Sequence, residues 1–128
     1  MRLLLDTHAF LWFITGSNKL SPSAREAFES PANTNWVSIA TLWEMVIKAS
    51  LGKLTLGRPF RDLVTTQLAE NGFSLLQVEV DHLAALMDLP YHHRDLFDRL
   101  LVAQCTADDL ALVTCDAAFS AYDVRRIW

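Results

Sequence analysis

Four short, largely apolar strings, Leu3–Leu5, Trp36–Val37, Leu75–Val78 and Leu110–Val113, punctuate the chain. Each is too short for a helix and lacks the alternation of a half-exposed sheet, so they predict strands buried on both faces. Between them lie segments of helical length: Ala9–Thr15, Pro22–Glu29, Ile39–Leu51, Pro59–Glu70, His82–Leu89 and Leu96–Asp109. Ser21 followed by Pro22 reads as an N-cap and an N1 proline. The last residues, Val124–Trp128, predict an added edge strand. Strands that alternate with helices pair in parallel through right-handed crossovers. The expected class is α/β, a three-layer α/β/α sandwich around a mainly parallel sheet. With no repeat, low-complexity run or linker, residues 1–128 read as a single domain.

Composition narrows this picture. At 128 residues, 52% hydrophobic and 20% charged, the chain can bury a real core, which excludes disorder. The formal charge is 11 − 15 = −4, so the surface is not wholesale basic. A mean hydropathy of +0.19 is high for a small domain and predicts apolar residues at an interface, hence an oligomer or a protein partner. Cys105 and Cys115 sit in or beside apolar stretches, where two buried thiols in a reducing compartment are expected. Asp6 and His8 interrupt the apolar run behind Arg2, unlike a signal peptide, and no stretch is long enough to span a bilayer. The expectation is a cytoplasmic protein with no membrane association.

In a parallel sheet the carboxyl ends of the strands and the amino ends of the following helices share one edge, where ligands bind. Asp6 closes the first strand, Glu44 lies just over a turn into the third helix, Asp98 is in the first turn of the last helix, and Asp116 follows the last apolar string. Clustered carboxylates repel one another unless a divalent cation neutralises them, and an all-oxygen set suits Mg²⁺ or Mn²⁺. Each acid also has an ordinary explanation. Asp6, Asp95 and Asp116 stand where helix caps stand, Asp95 and Asp98 are spaced as a capping box, and Glu44 pairs at i,i+4 with Lys48. Against a pure cap at Asp98, the same helical face carries Leu101, Val102 and Cys105, which places its carboxylate at the core's edge. The arrival of all four acids at one edge favours a metal site.

The strings LLLDTH at the start, SxxxLWE from Ser38 to Glu44, HHRDLFDRLLVAQ from His92 to Gln104, and VTCD ending at Asp116 together resemble the PIN-domain nucleases. They look most like the VapC-type toxins of toxin–antitoxin pairs. The resemblance runs in order over nearly the whole chain. It implies that Asp6, Glu44, Asp98 and Asp116 are the catalytic and metal-binding acids, with Asp6 and Asp98 as principal ligands. Thr114 matches a supporting hydroxyl residue that orients the last Asp. The implied activity is Mg²⁺- or Mn²⁺-dependent hydrolysis of RNA, and the implied partners are an antitoxin and a second copy of the chain. Leu96 stands where many relatives have Pro at N1, a departure that touches no ligand.

Binding a polyanion needs local positive charge, which Lys48, Arg94 and Arg99 are placed to supply, with Arg125 and Arg126 as further candidates. Trp36 and Trp43 sit in apolar company and are expected in the core. His8, His92 and His93 carry no assigned role. An antitoxin helix would lie against the first and third helices. Two other readings stay open. One is a catalytically silent scaffold of the same fold. The other is a phospho-acceptor receiver module, disfavoured because Asp6 has no acidic neighbour and no Lys follows Lys53.

Overall fold

The computed structural model describes all 128 residues. Its strands are β1 (Arg2–Leu5), β2 (Thr34–Ser38), β3 (Ser74–Leu76), β4 (Ala111–Val113) and β5 (Arg126–Ile127). The helices are α1 (Thr7–Thr15), α2 (Pro22–Glu29), α3 (Ile39–Ser50), α4 (Phe60–Asn71), α5 (Val80–Met87) and α6 (Leu96–Asp108), with a 3-10 turn at Ala117–Ala121. The strand order is β3-β2-β1-β4-β5, and every neighbouring pair is parallel. The α/β expectation holds, and "mainly parallel" sharpens to wholly parallel.

Burial follows the pleat. Leu3 and Leu5 point into one core with Phe10, Phe28, Val37 and Met45, while Leu4 points into the other with Leu101, Val102, Leu112 and Phe119. Successive side chains of a strand face opposite ways, so an unbroken Leu-Leu-Leu run needs apolar cover on both sides. Residues of α1, α2 and α4 cover the first face, and those of α5 and α6 the second. With the three β1 leucines at 0% exposure, truncating Leu4 to Ala costs about 2–5 kcal/mol.

The sequence leaves β1 outward through β2 to β3, then returns to the opposite side of β1 as β4. At this reversal the following helices diverge to opposite faces and open a crevice beyond the strand ends. The last rung there is the Asp6 N–H donating to the Val113 carbonyl at 3.1 Å.

Several local expectations need correction. Helix α5 begins at Val80 rather than His82, because Glu79 is its N-cap and donates its N–H to His82 Nδ1 at 2.9 Å. That fixes His82 Nε2 toward Asp108 Oδ2 at 2.8 Å and satisfies a fully buried imidazole. Strand β3 correspondingly stops at Leu76. Cys105 is buried as expected, but Cys115 is exposed, since it follows the end of β4 in the turn toward Asp116. Trp43 is 59% exposed and meets Phe97 edge-on, because it lies on the outward side of α3 while Leu42 and Met45 point inward. No helix is long and apolar enough to cross a membrane.

Candidate functional site

Asp6 follows the end of β1 and is 4% exposed. Its Oδ1 accepts the Ala9 N–H at 2.8 Å, capping α1. Asp116 caps the 3-10 turn after β4 through Oδ1, which accepts the Ala118 N–H at 2.9 Å. In both, capping uses one carboxylate oxygen and fixes where the second points, so capping and site formation coexist. Thr114 lies between these turns: its Oγ1 accepts the Asp116 N–H at 3.1 Å, and its side chain eases the elevation of the Asp6 carboxyl.

Asp98 enters from α6. Its N–H donates to Asp95 Oδ1 at 2.9 Å, one arm of the expected capping box. The Asp95 N–H goes elsewhere, to His93 Nδ1 at 3.1 Å, and the Asp98 carboxylate turns toward the other nitrogen of that ring. Glu44 arrives from α3, where its i,i+4 ion pair with Lys48 forms at 2.7 Å through Oε2. Its Oε1 accepts the Thr7 hydroxyl at 2.8 Å, and the residue is only 8% exposed.

The electrostatics show a cluster. Burial pushes the Asp98 carboxyl up to about 7, with Asp95 adding to the rise, His93 opposing it, and the charges of Asp6 and Glu44 raising it further. Asp6 is raised as well, first by burial, with relief from the Thr114 hydrogen bond, the Ala9 N–H and His8, and a further rise from Glu44. Such mutual elevation is what ionised carboxylates sharing a site produce when positive charge is short. Carboxylate oxygens of Asp98 and Asp116 and a nitrogen of His93 lie within 4.8 Å of one another, a spacing that one cation can bridge. The oxygen donors fit a hard divalent ion, and its charge reverses the elevation.

Other expectations meet mixed outcomes. Arg99 is not at a substrate surface: it is 5% exposed, donates to the Pro90 and Leu89 carbonyls and to the Tyr122 hydroxyl, and stacks 3.8 Å from the Tyr91 ring. A guanidinium consumed by internal acceptors is structural. Arg94 is exposed beside Asp95, and Lys48 is half-buried on Glu44. Arg126 donates to the Thr114 carbonyl at 3.1 Å, whereas Arg125 lines a cleft with Met1 and Arg2 at the opposite end of the sheet. Sequence reasoning left His93 without a role, yet its Nε2 lies 3.3 Å from Asp98 Oδ2 and 3.4 Å from Asp116 Oδ2. Two adjacent histidines carry no periodic signal. The clue was their place just ahead of the α6 cap.

A second region collects apolar residues outside the core. A groove of about 530 Å³ lies between α3, α5 and α6, lined by Trp43, Leu83, Met87, Leu96 and Phe97, with Arg99 its only charged residue.

Residues 3–125 match the PIN domain family. None of the curated protein sequences matches the chain. Among solved structures, the chain is similar to one in VapBC2 from Rickettsia felis bound to a DNA fragment from the promoter, with a TM-score of 0.74, 18% identity, and 98% of this chain and 97% of that one covered. It is also similar to a chain of DNA-bound VapBC from Salmonella typhimurium, with a TM-score of 0.72, 18% identity and coverages of 98% and 96%. A toxin–antitoxin complex from Klebsiella pneumoniae matches at a TM-score of 0.63 and 21% identity, covering 94% and 92%. At these identities the likeness is one of fold. The family match over nearly the full length, with the acids gathered at the sheet's reversal point, makes this chain a member of the PIN domain family, whose members are generally nucleases using divalent metal ions.

Proposed function

We propose that the protein is a metal-dependent endoribonuclease acting as the toxin of a toxin–antitoxin pair. The observation that carries this reading is the close approach of Asp98 and Asp116 at the carboxyl edge of the sheet, with Asp6 and Glu44 near enough to raise the Asp98 carboxyl further. Asp6, Asp98 and Asp116 would hold Mg²⁺ or Mn²⁺, with Glu44 adjoining. When bound, such an ion supplies Lewis-acid polarisation of a phosphoryl oxygen and acidifies water. Thr114 fixes the Asp116 turn through its hydroxyl and favours the charged form of Asp6. Glu44 holds Lys48 at the rim, where its ammonium meets a backbone phosphate, and keeps lone pairs for orienting the attacking water. Arg94 adds a second phosphate contact from the loop before α6.

The partners follow from the apolar surface and from the complexes that the fold resembles. An antitoxin segment is one partner, and an arginine from it that reached the carboxylates would compete with the metal. The other is a second copy of the chain on the α3, α5 and α6 groove. Two copies of an almost uncharged face meet without opposing like charges, which suits a self-complementary interface.

The experiment is an RNA cleavage assay on the purified chain with Mg²⁺ or Mn²⁺, with chelator, and with Asp6→Asn. Metal-dependent internal cuts that vanish in the variant support the proposal; cleavage that persists in the folded variant, or no cleavage of any RNA under any metal, refutes it.

A further inference from the structure

The geometry points to His93 as a positioning residue that donates from Nε2 to Asp116 and keeps Asp98 against the same nitrogen, and not as a ligand of the metal. This inference rests on the metal reading above. Its basis is the tautomer. His93 Nδ1 accepts the Asp95 N–H at 3.1 Å, so it cannot carry a proton, and the neutral ring's only N–H is at Nε2. That hydrogen is directed to Asp116 Oδ2 at 3.4 Å, while Asp98 Oδ2 lies 3.3 Å from the same nitrogen as a close charged contact. One long hydrogen bond and one close contact thus bring both carboxylates against a single nitrogen. An Nε2 that donates has no lone pair for a cation, although its place in the cluster superficially suits one.

The ring is itself held on every side. The backbone N–H groups of His92 and His93 donate to the Tyr122 hydroxyl at 3.1 and 2.9 Å. Arg99 also donates to that hydroxyl, at 3.3 Å, and Phe119 packs against the imidazole at a centroid distance of 5.6 Å. The buried guanidinium therefore reaches the carboxylates through Tyr122 and His93, an indirect route to the site. Such outer residues set ligand orientation, and their loss typically weakens metal binding by roughly 10–100-fold.

The test compares His93→Gln, whose amide nitrogen can occupy the Nε2 position, with His93→Asn, whose shorter amide reaches only the Nδ1 position. Mn²⁺ affinity is measured by calorimetry on the metal-free proteins. The imidazole tautomer of the wild type is read by ¹⁵N NMR, and nitrogen coupling to bound Mn²⁺ by electron spin-echo spectroscopy. The expected result is a proton on Nε2, no directly bound nitrogen, a loss of about 10-fold or more in affinity for His93→Asn, and near wild-type affinity for His93→Gln. Equal affinities in all three proteins, a proton on Nδ1, an equal loss in both variants, or a directly coordinated imidazole nitrogen would each overturn the positioning role. A wild-type protein with no Mn²⁺ binding at all overturns the metal reading as well, a result distinct from the others.

Discussion

At the carboxyl edge of the sheet, Asp6 is buried and Asp98 half-buried with too little positive charge around them, whereas across α3, α5 and α6 Trp43, Met87 and Leu96 stand in water with almost no charge nearby. The edge is over-supplied with charge that folding alone leaves uncompensated. The groove is over-supplied with apolar area that folding alone leaves uncovered. A small domain buries only a limited fraction of its surface, so both excesses persist in the isolated chain. The lesson is that each region is complementary to a different kind of ligand, a hard cation in one case and a protein surface in the other.

The comparison is broken most sharply by chemistry at the edge. Asp6→Asn should lower metal-dependent RNA cleavage by about 100-fold or more while leaving circular dichroism unchanged, because it removes a ligand oxygen charge and keeps the shape. Groove substitutions should not reproduce that loss.

A cation should then act on stability. At about 100 times its dissociation constant, Mn²⁺ should add about 2.7 kcal/mol, seen as a rise in Tm that chelator reverses. Asp98→Asn should raise the Tm of the metal-free protein and abolish the response. The pH dependence has a definite sign. Because the folded Asp98 carboxyl titrates near 7 instead of near 3.8, folding favours its protonated form. Its contribution to metal-free stability is therefore most favourable below about pH 4 and is lost as pH rises toward 7. Saturating Mn²⁺ at neutral pH should restore what was lost; a metal-free protein that gains stability between pH 5 and 7 through this group would contradict the cluster.

The groove is tested by Leu83→Glu combined with Met87→Lys, both at exposed positions. Loss of two buried anchors should weaken self-association by about 30-fold, near 2 kcal/mol, in analytical ultracentrifugation, with Mn²⁺ binding unchanged. The smallest effect belongs to Arg94→Ala. It should raise KM for RNA by less than about 10-fold and lower the salt dependence of binding by roughly one charge, as for a single phosphate contact.

Much of this was legible because the strands are unambiguous. Three consecutive leucines ahead of an aspartate place that aspartate at a strand end, and the same logic places Asp116. Glu44 and Asp98 were legible as residues within the first two turns of helices, but their surroundings were not. In α6 every residue from Arg99 to Cys105 is buried, so helical periodicity vanishes and nothing local distinguishes an inward arginine from a substrate-facing one. Trp43 failed for the opposite reason, since an apolar neighbourhood in sequence does not say which neighbours share its face. His93 depends on contacts with Asp116 and Tyr122, well over twenty positions away in the chain, and only the fold brings these together.

The insertion of β4 beside β1 has a consequence for synthesis. Asp6 emerges early, but the rung that closes its turn is the Val113 carbonyl, and Asp116 follows still later. A nascent chain halted before β4 already contains Asp6, Glu44 and Asp98, yet one flank of its central strand is unpaired and its cluster is open on that side. A chain stopped there therefore lacks both Asp116 and the strand that closes the Asp6 turn, and the acid cluster is complete only once β4 and the residues after it have been made.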